Sequence, residues 1–379
     1  MTENSQKYLD ILTKHRRYLH TIPEASFKEE KTCEYICKTL DALGIPYERL
    51  LDTGVLAHIK VDEKLDTFAF RADMDALPVL EDTGREFSSK HEGFMHACGH
   101  DAHMAVLLTF AEFLSANRSR LRANAALIFQ PAEEGYGGSL KMIDAGVLEK
   151  AGASEIYSFH VSPLYPKGKV YISLGSATAC DLAFDVRVHG KASHGAIPQN
   201  GRDAIVAASA LVCALQSIVS RENDPHSPLA LTIGTMRAGT KRNVVADEAV
   251  LECAIRCSLT EDAAAAAYEK VKRICAGTAA AFGVDIETDI HHFYGAVKND
   301  ELCVSRIEKA FAPGEVERVP PLVVSEDFFA FTKKLPAAMF LCGVRDEKCG
   351  FVHPLHADKF DLNEDALLYA LETYIRLII

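Results

Sequence analysis

The chain has 379 residues, a formal net charge of −12, and 48% hydrophobic against 25% charged residues. That length predicts two domains rather than one core, and that balance is the balance of a folded protein, not a disordered one. The acidic excess excludes a nucleic-acid reader, which needs a basic face, and uninterrupted apolar stretches such as 337–344 are too short to span a bilayer.

The opening MTENSQKYLDIL lacks the basic and then apolar order of a signal peptide. Eleven cysteines, an odd number spread over the whole length, do not read as a disulfide framework and suit a reducing compartment, so the cytoplasm is the expected location. Cys33 and Cys37, like Cys253 and Cys257, are spaced by four and read as small buried side chains.

An amphipathic helix is expected over 4–20 and a second over 27–43, the latter stopped by Gly44-Ile45-Pro46. Strand-like and helix-like runs then alternate: GVLAHIKV and TFAFRAD as strands, DAHMAVLLTFAEFLSAN as a helix, NAALIFQ as a strand, GGSLKMIDAG as a helix and EIYSFHV as a strand. Such alternation predicts an α/β domain with a largely parallel sheet. Near Ala179 the style changes to strand (DLAFDVRVHG), helix (DAIVAASALVCALQSIVSREN), strand (LALTIGTMRAG), strand (VVADEAVLECAIRC), helix (EDAAAAAYEKVKRICAGTAAAFG) and strand (VDIETDIHHF). This is the β-α-β-β-α-β order of a ferredoxin-like α+β sandwich. A helix from about 300, a strand AAMFLCGV and a last helix from Glu364 return to the first style. The expected architecture is one discontinuous α/β domain, 1–178 and 293–379, interrupted by an inserted domain, 179–292.

Chemically able residues collect where these strands end. Asp73 and Asp75 follow TFAFR, Glu133 and Glu134 follow NAALIFQ after Pro131-Ala132, His160 ends EIYSF, and Cys98, Gly99, His100 and Asp101 precede a helix. Ligands of open α/β sheets bind outside the carboxyl ends of strands, so four segments deliver Asp, Glu, His and Cys to one sheet edge. Cys98-Gly99-His100 admits two readings. In extended backbone, residues two apart point the same way and reach one ion, and thiolate with imidazole suits zinc-like metals rather than calcium or magnesium. The other reading is a structural loop with a buried Cys and Asp101 as a helix cap. The adjacent Glu133 and Glu134 are either a solvated surface pair or a division of labour, one holding a metal and one acting as general base on water. His160 and His356 are single histidines, and such residues are more often structural, but both sit at or near strand ends or prolines. Asp75 and Asp101 are candidates to orient a ligand imidazole.

RADMDALP, MHACGHDAH, FQPAEEG, FHVSP, GKASHGAIP, SEDFFAF and PLHADKF, in this order, resemble the amidohydrolase branch of the aminoacylase/carboxypeptidase metallopeptidases, which includes hippurate, auxin-conjugate and N-acetyl-diaminopimelate hydrolases. HRRYLHTIPEASFKEEKT also resembles the opening of that branch. The resemblance implies two divalent ions (zinc or manganese, with cobalt or nickel as further options) on Cys98, His100, Glu134, His160 and His356. It implies Glu133 as general base and proton donor, His194 as the oxyanion-stabilising group, and Asn243 and Arg256 as substrate-binding groups. It further implies that the discontinuous domain is the catalytic one and the insert a lid or dimerisation domain, with a small N-acyl amino acid as substrate and a homodimer built through the insert. Two departures bear on the substrate side: Cys253-Ala254 stands where the branch usually has Gly and a small polar or branched residue, and Cys257 stands in place of Thr. A dipeptidase on the same site and a non-catalytic metal-bound binding module are the alternative functions, although no ligand or base of the pattern is missing from the chain.

Overall fold

A computed structural model describes residues 5–257 and 261–379. The chain divides into two units. One holds the residues up to Ala177, Lys298–Pro320 and Asp327–Ile379, and the other holds Thr178–Val297 and Pro321–Glu326. Against the expected boundaries, the second unit runs on to Val297 and also takes in 321–326, which no change of hydrophobic period marks.

The first unit is built on eight strands in the order Tyr47–Leu50, Gly54–Ile59, Asn124–Gln130, Thr67–Asp73, Glu155–Pro166, Ala337–Arg345, Val170–Ile172 and Val316–Arg318. The four central strands, Asn124–Gln130 to Ala337–Arg345, are mutually parallel. Antiparallel pairs join Gly54–Ile59 to its two neighbours and Val170–Ile172 to Ala337–Arg345. Central parallel strands are covered on both faces, which is why NAALIFQ is apolar without alternation and buried at every position. The helix His100–Ala116 is buried almost all round, as expected of a core helix without a polar face. Ser5–His20 packs along it.

The second unit is a four-stranded antiparallel sheet in the order Leu229–Ala238, Glu248–Cys257, Cys180–His189, Asp285–Tyr294. With helices Ala204–Arg221 and Glu261–Phe282, it is the expected ferredoxin-like sandwich. Ala204–Arg221 is long and apolar enough to cross a membrane by length and composition alone. Its Ala207, Leu211, Leu215 and Ile218 share one buried core with Val186, Leu251 and Ile255 of the sheet.

The elements differ from expectation where local conformation intervenes. The first helix runs Ser5–His20, and residue 4 lies outside the described residues. The second begins at Glu30 rather than 27, because Phe27 takes a left-handed φ of 58°. VVADEAVLECAIRC splits into Val244–Val245, which pairs with Ser193–His194, and the sheet strand Glu248–Cys257. The short strands Tyr47–Leu50, Val170–Ile172 and Val316–Arg318 carry no sequence period of their own.

Beneath the carboxyl edge of the large sheet lies a buried polar network. Arg71 donates from Nη1 to Asp73 Oδ2 (2.7 Å), from Nη2 to Asp327 Oδ1 (2.8 Å) and from Nε to Gln130 Oε1 (2.8 Å). Gln130 Nε2 and the Ser139 amide also donate to Asp327 (2.8 and 2.9 Å). All five side chains are shut off from solvent. Buried charges are tolerated only when paired and bonded in this way. Replacing Arg71 with Met strands two buried carboxylates, so Arg71→Met is expected to lose about 3–5 kcal/mol of stability. Urea unfolding of variant and parent measures it, and a midpoint unchanged from the parent would refute the role given to the network.

Candidate metal centre

The register of the parallel strands brings the expected residues to one edge. Arg71 pairs with Ser158 and Asp73 with Gln130, so Asp73, the chain leaving Gln130 and His160 stand level. Cys98 is central. Its Sγ lies 3.4 Å from His160 Nε2 and 3.4 Å from His356 Nε2, and His356 Nε2 is 3.5 Å from Glu134 Oε1. Two triads result, each with one donor atom per residue and all three within 4.8 Å of one another: Cys98, His100, His160, and Cys98, Glu134, His356. They share the cysteine sulfur.

The extended-backbone argument for Cys98 and His100 does not hold in the structure. Gly99 has φ 84° and stands at the N-cap, so His100 is the first helical residue. A Cβ at Gly99 would meet Val161 Cγ2 at 2.4 Å, so both φ and space require glycine there. His356 is also left-handed, at φ 66°, and its amide donates to Ala97 O (2.8 Å) beside Cys98.

Hydrogen bonds select the free nitrogen of each imidazole. His100 Nδ1 donates to the Asp75 carbonyl (2.9 Å) and His160 Nδ1 to the Val161 carbonyl (2.7 Å), which leaves both Nε2 atoms facing the cluster. His103, though within reach of Asp73 and His100, is already committed. Its Nδ1 donates to Asp73 Oδ1 (2.6 Å) and its Nε2 accepts the Val161 amide (3.0 Å). Two buried atoms of the cluster, His100 Nε2 and Glu134 Oε1, have no hydrogen-bond partner among the described residues. Orphans of this kind in a thiol–imidazole–carboxylate set fit a zinc-like ion.

Burial pushes Glu134 up to about 7, with Asp75 and Asp73 adding to it, and burial and the nearby carboxylates hold the Cys98 thiol well above its usual range. Burial works against an imidazolium at His100, yet Asp73, Asp75 and Glu134 keep it protonated up to about 10. At His160 burial and His103 act in the opposite direction, down to about 3. Anionic groups thus crowd one site, a balance that a bound cation inverts.

Asp75 lies against the His100 imidazole, its Oδ1 3.4 Å from Nδ1. Its Oδ1 and Oδ2 accept the Glu133 and Glu134 amides (3.0 Å each), and Oδ2 accepts the Ser26 hydroxyl (2.6 Å). Glu133 is buried and its Oε1 accepts the Asp327 amide (3.4 Å). Sequence reasoning assigned no role to Arg71, Gln130, His103 or Asp327. The one visible signal was a charged residue, Arg71, inside an otherwise apolar strand.

Within the second unit, His194 pairs with Val244 and is exposed, and the Asn243 carbonyl accepts the Gly195 amide (2.8 Å). The Ala196 amide donates to His194 Nδ1 (3.1 Å), which leaves Nε2–H as the free donor. Arg256 is elsewhere. It pairs with Asp181 at the far end of the sheet and donates from Nη2 to Asp181 Oδ2 (3.1 Å).

The fold and this cluster define a two-unit α/β protein with the donor set of a metallohydrolase. The chain belongs to Peptidase family M20/M25/M40, whose family model matches residues 69–379. It is 37% identical over 364 residues to thermostable carboxypeptidase 1 of Saccharolobus solfataricus, covering 94% of this chain and 92% of that one. It is 34% identical to N-acetyldiaminopimelate deacetylase of Ligilactobacillus salivarius, covering 94% and 93%. Among solved structures it is similar to Bacillus subtilis YxeP, described as a dinuclear metal binding peptidase from the M20 family. That match has a TM-score of 0.84 and 32% identity, with 98% of each chain covered.

Asp101 departs from both roles considered for it. It makes no cap bond, since the N-cap is Gly99, and among the described residues it bonds none of His100, His160 and His356. Its Oδ2 accepts from His20 Nδ1 (2.7 Å) and Arg16 Nε (3.2 Å). Burial alone lowers the pKa of His20, but the charge and bond of Asp101 and the bond of Glu81 outweigh it and hold His20 up to about 9. A histidine raised on folding from its ordinary value of about 6.5 contributes its full stability below that pH and loses it as pH rises through about 9. The stability gap between parent and His20→Gln is therefore expected to shrink by an amount on the order of 3 kcal/mol between pH 6 and about 9.5. Urea titrations at several pH values in chelator measure the gap, and a gap that does not change with pH contradicts the assignment.

Proposed function

We propose that this chain is a metal-dependent amidohydrolase that cleaves small N-acyl amino acids or related conjugates to a carboxylic acid and a free amino acid. The observation that carries it is the pair of triads sharing Cys98 Sγ, with Glu133 next to Glu134 at their edge. Names of relatives agree: N-acetyldiaminopimelate deacetylase and carboxypeptidase both denote hydrolysis of an amide beside a carboxylate. Cys98, His100 and His160 would hold one divalent ion and Cys98, Glu134 and His356 a second, with zinc or manganese favoured and cobalt or nickel accepted by the same donors. When bound, the ions supply Lewis acidity to the scissile carbonyl and to the attacking water.

Glu133 takes a proton from that water and returns it to the leaving amine. Its buried carboxylate, beside the Asp327 amide, is pre-set for both transfers. His194 donates Nε2–H to the oxyanion, a contribution made only as charge develops. Arg256 offers its remaining guanidinium donors to the substrate carboxylate, oriented by Asp181, and Asn243 adds an amide contact. No disulfide joins any of the eleven cysteines among the described residues, which fits a reducing compartment such as the cytoplasm.

Glu133→Gln is expected to keep bound metal and lose turnover by about 10²-fold or more, whereas Glu134→Gln loses metal affinity as well. Metal content by mass spectrometry and kcat on N-acetyl amino acids, taken on the same preparations, separate the two. Identical behaviour of the variants is the result against the division of roles.

A homodimer is proposed on a distance within one unit. His194 and Asn243 lie beside the Glu248 end of the strand Glu248–Cys257, and Arg256 lies at its other end, roughly 25 Å away at strand rise. One small substrate does not touch both ends, so a site that uses all three draws them from two chains. Exposed Ile205 and Val206 on the helix Ala204–Arg221, and Met236 on the edge strand, give the unit an apolar face for a partner copy. Co-expressing Glu133→Ala with His194→Ala should restore roughly a quarter of wild-type sites, because half the dimers are mixed and each has one intact site. A preparation as inactive as its parents, with mixed dimers demonstrated, excludes action between chains.

A further inference from the structure

We propose that Glu29 is a positioning residue whose carboxylate sets the backbone from which Glu133 and Glu134 project. The proposal rests on the base and ligand roles given to that pair above. Glu29 is fully buried, immediately before the helix Glu30–Ala42, and takes no part in the chemistry. Its Oε1 accepts two backbone amides, Phe27 and Ala132 (3.0 Å each), and its Oε2 accepts the Thr53 hydroxyl (2.9 Å).

Both amide donors are in the left-handed region, Phe27 at φ 58° and Ala132 at φ 57°. For residues with a Cβ this conformation costs roughly 1–2 kcal/mol each and persists only where surrounding groups hold it. A single carboxylate oxygen holds both. The amides of Glu133 and Glu134 go to Asp75, so three successive backbone N–H groups, 132 to 134, end on two buried carboxylates. That conformation at Ala132 turns the chain out of the strand Asn124–Gln130 and sends Glu133 toward Asp327 and Glu134 toward Cys98 and His356.

The acid at position 29 is costly for any other purpose. None of its bonded partners is basic, and the charge beside it is the like charge of Asp75. Burying such a group is unfavourable unless the acceptors are needed. Burial, and then Asp75, push Glu29 up to about 7. Its protonated form still accepts at Oε1, so glutamine reproduces the geometry: Oε1 for the two amides and Nε2–H for Thr53 Oγ1. Aspartate keeps the charge but withdraws the acceptor by one methylene.

The test compares Glu29→Gln and Glu29→Asp in the metal-loaded enzyme by kcat, KM, metal content and amide hydrogen exchange of the peptide covering 131–135. Glutamine should leave exchange unchanged and kcat within about threefold. Aspartate should accelerate exchange in that peptide alone and lower kcat by roughly 10- to 100-fold with KM nearly constant, the scale of a misplaced catalytic group. Wild-type kcat and exchange in the Asp variant, glutamine as impaired as aspartate, or loss of protection spread across the whole unit each overturn the proposal. Should the Asp variant not fold, Thr53→Val, which removes only the hydroxyl on Oε2, is read by the same criteria. Glu133→Gln runs alongside: full turnover there refutes the base assignment itself, while the exchange result at 131–135 still decides the role of Glu29.

Discussion

The carboxylate of Asp75 is the contact on which the site depends, although it need never touch an ion. It takes the amides of Glu133 and Glu134 and the hydroxyl of Ser26, while the backbone carbonyl of the same residue takes the Nδ1–H of His100. Four chain segments separated by up to a hundred residues are thereby tied at one point. Parallel strands end together at a sheet edge, but their loops have no reason to share a conformation. Here buried carboxylates impose one, because an amide buried without an acceptor costs more than the strain of turning the loop. The candidate metal donors inherit their geometry from that requirement.

The same logic separates ligand candidates from structural histidines. His103 and His100 lie on one helix, three residues apart, and both approach Asp73. Counting hydrogen bonds decides between them: His103 has both nitrogens committed, whereas His100 keeps Nε2. Beneath them the Arg71 guanidinium bonds both Asp73 and Asp327 out of reach of solvent. The edge thus stands on a buried Arg–Asp floor, where paired bonds rather than apolar packing fix position.

Much of this was legible in the sequence, and the rest was not for identifiable reasons. TFAFRAD and NAALIFQ end where their apolar runs give way to Asp73 and to Gln130-Pro131, although the turns that follow both strands stay buried. The β-α-β-β-α-β order of the second unit follows from period alone. Pairing does not: that the strand Thr67–Asp73 lies between Asn124–Gln130 and Glu155–Pro166, or that Arg71 meets Asp327, is settled by contacts across long stretches of chain. Left-handed residues were equally hidden. Phe27, Ala132 and His356 carry no glycine to betray them, and two of the three lie beside proposed catalytic or metal residues. Asp101 misled because a carboxylate next to a candidate ligand suggests a local partner, whereas its partners came from the first helix.

The departures at Cys253 and Cys257 bear on where substrate selection resides. Along Glu248–Cys257 burial alternates strictly: Ala249, Leu251, Cys253, Ile255 and Cys257 point into the core of the second unit. The even-numbered residues, Arg256 among them, lie on the opposite face. Replacing a threonine by cysteine at 257 therefore alters the face packed beside Cys180 and Ala264, not the face that carries the guanidinium. Cys253 likewise belongs to the one buried core that holds Val271 and Cys275 of the helix Glu261–Phe282. Ala254 is the one departure on the face of Arg256, and it removes side-chain bulk two residues from it without supplying a polar group. Under the function proposed above, substrate selection falls to Arg256, held by Asp181, and to Asn243, while both cysteines stand on the face of the strand that is turned into packing.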